Sequence, residues 1–453
     1  MRLRSQHGTV LLGLSGGMLV VAVGLVGGYY VAGSRNEARA ATVPSNAEGS
    51  APRPMASSKS LSTLLANEID VVAAGTTNRM TWAQLGLEID TDEAARAGTA
   101  DVGKLAATGA IPIRLDRVKA QKALLELKPK VDTAPLNAWL DLEARVIHDD
   151  TPGQGLDVWG SLPRLEAAAR AASPKVELAM IPVPAAVTKA TIGIDDISHV
   201  LGHYTTRFPV GDRDRNFNLK LAASKLNGVV LKPGVEWSFN DTVGERSEKE
   251  GYKIAHVITA GEMVDGLAGG TCQISTTLFG AVFFAGVDIT RTTNHSRPSV
   301  YTPLGFDATV VWPNTDLKLK NPYDFPVVIR YVVANGEATV EVLGKKRPWD
   351  KVVFERHITE RESYSIEERL DEEIAKDETM IDQEGFSGIK LTRFRRFYKD
   401  GKLVKSNKWD VVYKPVTEYI RRGTSTDPNA KHAEQKELHS PKEPSGDSYS
   451  MSQ

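Results

Sequence analysis

The sequence predicts a multidomain α+β protein with an N-terminal membrane-spanning helix. Three observations carry that prediction. An uncharged apolar run of bilayer length lies near the start, a Pro/Ser/Ala-rich stretch follows it, and beyond that helical apolar periodicity is interleaved with strand-like alternation. A chain of 453 residues accommodates two to four domains at roughly 100–200 residues each.

After Arg2 and Arg4, residues 9–33 contain no charged side chain. A span needs about 20 apolar residues. Tyr29 and Tyr30 fall where an interfacial aromatic pair would sit. Residues 1–8 are then a short cytoplasmic tail and 9–33 an anchor, and the bulk of the chain is extracytoplasmic, in a periplasm or wall space. The competing reading is a cleaved signal peptide, because Ala38-Arg39-Ala40 has the small-x-small form. Residues 34–60 lack large apolar groups and read as a tether.

Residues 61–190 form a first mixed unit. Thr81 to Gly86 reads as a helix start before a turn. Leu115–Leu127 has helical periodicity stopped by Pro129. A strand, a helix from Pro163 and a strand at Val176–Ile181 follow. Residues 195–345 form a second unit and 350–424 a third. Glu360–Glu378 is charged and reads as a solvated helix. Gly388–Tyr398 and Leu403–Val412 alternate around a Lys399-Asp400-Gly401-Lys402 turn, a hairpin. Residues 425–453, rich in Ser, Pro, Lys and Glu, read as a disordered tail.

A hydrophobic content of 41% with 25% charge is that of ordinary globular protein, and a formal net charge of -1 gives nucleic acid no footprint. A single cysteine excludes a disulfide scaffold and a multi-cysteine metal site. His199 and His203 have the i, i+4 spacing of half a zinc site, but Gly202 weakens the helix that would present them. Neither a metal nor a cofactor is expected.

The lone cysteine, Cys272, stands in Ala268-Gly269-Gly270-Thr271-Cys272-Gln273-Ile274-Ser275. Ile274, Leu278, Ala281, Val282 and Ala285 follow it at buried-helix spacing, and Gly286 ends the run. With Thr271 as N-cap, Cys272 lies in the first turn. The positive end of the dipole there favours thiolate, and free N–H groups can hold an oxyanion. Gly270 and its glycine neighbour leave room for a substrate backbone. A thiol nucleophile needs a base. His295, after a strand at Val287–Thr292, is the candidate. Asp307, Ser296 or Asn294 is the group that orients it. Arg297 or Arg246 is the residue to hold a substrate carboxylate. The alternative for Cys272 is a small buried residue packing a helix start.

These motifs carry a resemblance. Arg215-Asn216 through Asn227-Gly228, Leu231-Lys232-Pro233-Gly234, Trp237-Ser238-Phe239-Asn240, Gly251-Tyr252, Gly269 through Leu278, His295-Ser296, Asp307 through Val310 and Asn321-Pro322 run in order as in a VanW domain. The unit before it resembles the peptidoglycan-binding-type domain that often precedes VanW. The unit after it resembles the β-rich module named for five glycines, through Gln383 to Gly388 and Arg422-Gly423-Thr424. The resemblance implies cell-wall work by cysteine acyl transfer, of L,D-transpeptidase type, on peptidoglycan stem peptides. Cys272 is then nucleophile, His295 base and Asp307 third member, with Gly270, Thr271, Gln273, Ser275, Ser296 and Arg297 around the substrate and oxyanion. A wall endopeptidase or amidase using the same cysteine, and a non-catalytic wall-binding scaffold, are the alternatives. The name's link to glycopeptide resistance does not by itself establish that role. Two departures flank the reactive residues: Ala268 replaces a frequent glycine, and Asn294 replaces a frequent proline.

Overall fold

The computed structural model describes residues 60–97, 101–259, 262–433, 444 and 446–453. The expected tail, anchor and nearly all of the tether lie outside these residues. Among the described residues no helix is long and apolar enough to cross a membrane. The single-pass anchored localisation is therefore withdrawn as a reading of this protein. The α+β class is corrected as well: strand outweighs helix, 41% against 24%.

In the first unit a three-stranded sheet orders Thr76–Thr81, Glu68–Ala73 and Lys175–Glu177. The helix Arg117–Val131 begins at Asp116, whose carboxylate accepts from the Val118 and Lys119 N–H groups. It runs through Pro129, because Asp132 N–H still closes the last turn on Lys128 O at 2.9 Å. The next helix starts at Val158, upstream of the expected Pro163, because Asp157 caps it through the Gly160 N–H. Thr81 and Gln84 do make a reciprocal capping pair, but the segment turns at Gly86 and never becomes a helix.

The second unit is built on a four-stranded sheet in the order His199–Arg207, Glu337–Gly344, Val327–Ala334, Val230–Leu231. The helix Thr271–Ala285 packs on it and is buried at every position except Cys272. Its crossing of the first strand is unusually close. A Cβ on Gly202 would lie 2.2 Å from Ala285 N, and one on Gly280 would lie 2.4 Å from the Tyr204 ring. These two glycines fix the height of the helix over the sheet. His199–Arg207 being a strand, His199 and His203 do not form the helical pair their spacing allowed, and no described cluster of His, Cys, Asp or Glu could hold a metal ion.

The third unit has a four-stranded sheet, Lys402–Tyr413, Gly388–Lys399, Lys351–Glu362, Ser448–Ser452, and a three-stranded one, Ile366–Ala375, Glu418–Ser425, Thr379–Gln383. Glu360–Glu378, expected as a helix, is mostly strand. Its charges pair across strands instead: Lys390 with Glu360, Arg422 with Glu368, Arg421 with Asp371. Cross-strand partners override glutamate's helix propensity. Within the expected disordered tail, Ser448–Ser452 pairs antiparallel with Val353–His357.

The second and third units share one core. Val352, Phe354 and Phe397 cluster with Phe279, Phe283 and Phe306. Arg395, 1% exposed, lies over Phe283, Phe397 and Trp409, and donates to Val287 O at 2.7 Å and Phe283 O at 3.4 Å. A cation from the third unit thus caps the negative end of the cysteine helix.

Candidate active site

Gly270, not Thr271, caps the cysteine helix, with φ of 102°. That left-handed conformation suits glycine, and the space suits it too: a Cβ there would come within 3.2 Å of Arg215 and Leu219. Thr271 is the first helical residue, and its hydroxyl turns back to Ala268 O at 2.8 Å. The Thr271, Gln273 and Ile274 N–H groups bond Ala268 or Gly270 O. The Cys272 N–H is therefore the first-turn donor without a backbone acceptor among the described residues.

Cys272 is half-buried, and its Sγ donates to Val310 O at 3.4 Å. His295 arrives on a loop held against the 307–310 segment. Thr309 N–H donates to Thr293 O at 2.7 Å, and His295 N–H donates to Asp307 Oδ2 at 2.7 Å. The same carboxylate oxygen lies 2.6 Å from His295 Nδ1. Both side chains are buried, His295 at 6% and Asp307 at 1% exposure. With Nδ1 engaged, Nε2 is the ring nitrogen left for Cys272, with which His295 interacts electrostatically. Ser299 Oγ lies 3.4 Å from Nδ1.

Charge in this group follows its geometry. Burial pushes the Cys272 thiol up, but the His295 hydrogen bond and charge, with help from the Val310 backbone and Arg246, bring it below its ordinary value. Burial pulls His295 down, and Tyr301, Asp307 and Cys272 together hold it well above the usual imidazole range. Burial raises Asp307, and its bonds to His295 and Tyr413 hold it below the ordinary carboxylate value. Each direction favours the charged form of its group.

The remaining sequence candidates fall in different places. The Gln273 side chain is buried, donating to Thr206 Oγ1 at 2.9 Å and Arg207 O at 3.0 Å. Ser275 donates to Cys272 O at 3.1 Å and to Ala308 O, tying the helix to the segment that carries Asp307. Ser296 is exposed, whereas Arg297 is 4% exposed. Asn294 Nδ2 donates to His295 O and to Val412 O, each at 2.9 Å, so it binds the backbone of the histidine and not its ring.

Sequence reasoning missed the reach of the third unit into this group. Tyr413 is 1% exposed. Its hydroxyl donates to Asp307 Oδ1 and accepts from Gly305 N–H at 3.0 Å. Arg393 donates to Gly305 O at 3.0 Å. An alternating strand in a separate module carries no signal that its last tyrosine meets an aspartate more than a hundred residues earlier. A cavity of about 460 Å³ opens on another side of the histidine loop, lined by Ser299, Thr302, Leu304, Arg356, Phe386 and Tyr449 among others, and Cys272 does not line it.

Residues 214–343 match the family model described as VanW like protein, and residues 355–425 match the G5 domain. The chain carries a VanW domain followed by a G5 domain. Its VanW region is similar to the uncharacterized protein YoaR of Bacillus subtilis (strain 168), 42% identical over 130 residues, which is 29% of this chain and 43% of that protein. It is also similar to the vancomycin B-type resistance protein VanW of Enterococcus faecalis (strain ATCC 700802 / V583), 29% identical over 151 residues, 32% of this chain and 55% of that protein. The chain thus spans about half the length of the curated relatives it matches. Among solved structures, the IgA1 protease G5 domain aligns at 19% identity and TM-score 0.13, over 18% of this chain and all of that one. The HP0197 G5 structure aligns at 20% identity and TM-score 0.10, over 16% and 97%. In this chain the VanW domain supplies Cys272, His295 and Asp307, and the G5 domain supplies Tyr413 and Arg393.

Proposed function

We propose that this is a peptidoglycan-directed protein whose VanW domain performs cysteine acyl transfer of the L,D-transpeptidase type. The observation that carries the reading is the buried His295–Asp307 pair, 2.6 Å apart, interacting electrostatically with Cys272 in the first turn of a helix. The similarity to a resistance-associated VanW protein and the G5 domain support the cell-wall setting.

In this reading Cys272 thiolate attacks the carbonyl of the residue preceding a terminal D-amino acid of a stem peptide. The Sγ–C bond forms, and the developing oxyanion is held by the Cys272 N–H. His295 gives its proton to the departing amine as the C–N bond breaks, and then takes one from the incoming amine of a second stem. Asp307 keeps Nδ1 protonated, so that Nε2 is the exchanging nitrogen. Water in place of the amine would give hydrolysis.

The test is incubation of the protein with disaccharide tetrapeptide, followed by mass spectrometry. A cross-linked dimer, absent with Cys272→Ala, is the expected product. Disaccharide tripeptide alone would make the enzyme a hydrolase. No Cys272-dependent product would favour a wall-binding scaffold.

A further inference from the structure

Arg215 and Arg246 both lie within electrostatic reach of Cys272, and neither makes an ion pair with a carboxylate among the described residues. The stem of Arg215 lies against Gly270, the cap of the cysteine helix. Its Nη2 donates to Gln273 Oε1 at 2.7 Å, and Gln273 is itself pinned by Thr206 and Arg207. The Nη1 of Arg215 is buried without a partner among the described residues.

Arg246 comes from a different segment, just after the helix Phe239–Val243. Its Nη2 donates to Asn240 Oδ1 at 2.6 Å, and the guanidinium lies 5.4 Å from the Phe239 ring centroid. Asn240 is fixed by Thr315 O at 3.0 Å, Pro313 O at 3.3 Å and Val311 O at 3.5 Å. That segment continues from Val310, whose carbonyl lies on the sulfur. Among the described residues, the Nε and Nη1 of Arg246 are buried without partners, as is the Tyr252 hydroxyl.

Two nearby carboxylates are already engaged. Asp212 caps its own helix through Arg215 N–H at 3.0 Å, and Asp316 accepts from Ser238 Oγ at 2.6 Å and Asn240 N–H at 2.9 Å. Burial holds both guanidiniums below their ordinary pKa, and both respond to charge on Cys272. Desolvated cations steadied by neutral amides, with N–H donors left over, form an electrostatically incomplete site until an anion enters.

We propose that Arg215 and Arg246 form a carboxylate subsite beside Cys272, receiving the free α-carboxylate of the residue that leaves when the thiolate attacks. This rests on the acyl-transfer reading and narrows it. The donor is a peptide ending one residue beyond the scissile bond, and the enzyme is an exopeptide acyl-transferase rather than a cutter of internal bonds. On attack the Sγ–C bond forms, the C–N bond breaks, and a free amino acid departs with a proton from His295 and its carboxylate between the arginines.

The full chain is tested by alkylating Cys272 with iodoacetate and with iodoacetamide, each rate divided by that of glutathione under the same conditions. The subsite predicts a normalised iodoacetate-to-iodoacetamide ratio of about ten, falling to about one in Arg215→Gln/Arg246→Gln and partly retained in Arg246→Lys. N-acetyl-D-alanine should protect the wild-type thiol, and its C-terminal amide should not. A normalised ratio at or below one in the wild type, or equal protection by acid and amide, overturns the subsite even if the double variant fails to fold. The iodoacetamide pH profile reports separately on the nucleophile. A slow thiol with an ordinary profile would sink the acyl-transfer reading, while the ratio still reads the charge beside it.

Discussion

Replacing His295 with glutamine isolates the interaction that makes Cys272 a nucleophile. In the wild type, burial opposes ionisation of the thiol, and the His295 hydrogen bond and charge outweigh it. Removing the imidazole leaves burial opposed chiefly by the Arg246 charge. The thiol then rises toward or above its ordinary value of 9.0. A hydrogen bond to a charged group is worth about 1.5–3 kcal/mol, or roughly 13- to 160-fold in thiolate fraction. A more basic thiolate is also a better nucleophile, with a Brønsted coefficient of about 0.4–0.5, which returns nearly half of that effect on a logarithmic scale. On the acid side of both titrations, alkylation by iodoacetamide should therefore slow by roughly 4- to 15-fold. The sign is fixed by the two shifts. Cys272 is lowered and His295 raised, so the reactive ion pair persists from the depressed thiol pKa up to the elevated imidazole pKa. The wild-type rate should reach its plateau at lower pH than that of His295→Gln. Rates followed by intact-protein mass across pH 4–10 make the comparison. Superimposable profiles would refute the reasoning.

Tyr413→Phe removes the donor to Asp307 Oδ1 and the acceptor of the Gly305 N–H. It should cost about 1.5–3 kcal/mol in urea denaturation and move the alkylation pH profile, which a purely structural role would leave in place. Asp307→Ala should leave His295 without its Nδ1 acceptor, lowering product formation by orders of magnitude while iodoacetamide still labels Cys272; unchanged turnover would contradict this. Ala268 has φ of 60°, in the left-handed region. Ala268→Gly should relieve about 1–2 kcal/mol of that strain against about 0.5–1 kcal/mol of added chain entropy, and a net loss of stability on denaturation would contradict it.

Much of the site was legible in the sequence because it is local or repeats a spacing. The apolar positions from Ile274 to Ala285 announce the helix, and the glycines before Cys272 announce its abrupt start, where Ala268 already adopts a positive φ. The cap was misread because Thr271 has the chemistry of an N-cap, whereas the backbone geometry falls on Gly270. The third unit was read least well. Its glutamates carry helix propensity, yet ladder pairing and ion pairs with Arg421, Arg422 and Lys390 decide the strands. The contacts of Tyr413, Arg393 and Arg395 with the VanW domain are long-range, and residue spacing within the chain does not encode them.

The most direct measurement is the intact mass of the protein shortly after mixing with disaccharide tetrapeptide. The account predicts a disaccharide-tripeptide adduct on Cys272, mapped by peptide digestion, lost on addition of hydroxylamine and absent in Cys272→Ala. A protein that turns the substrate over with no adduct on Cys272, or shows the same product with Cys272→Ala, would contradict it.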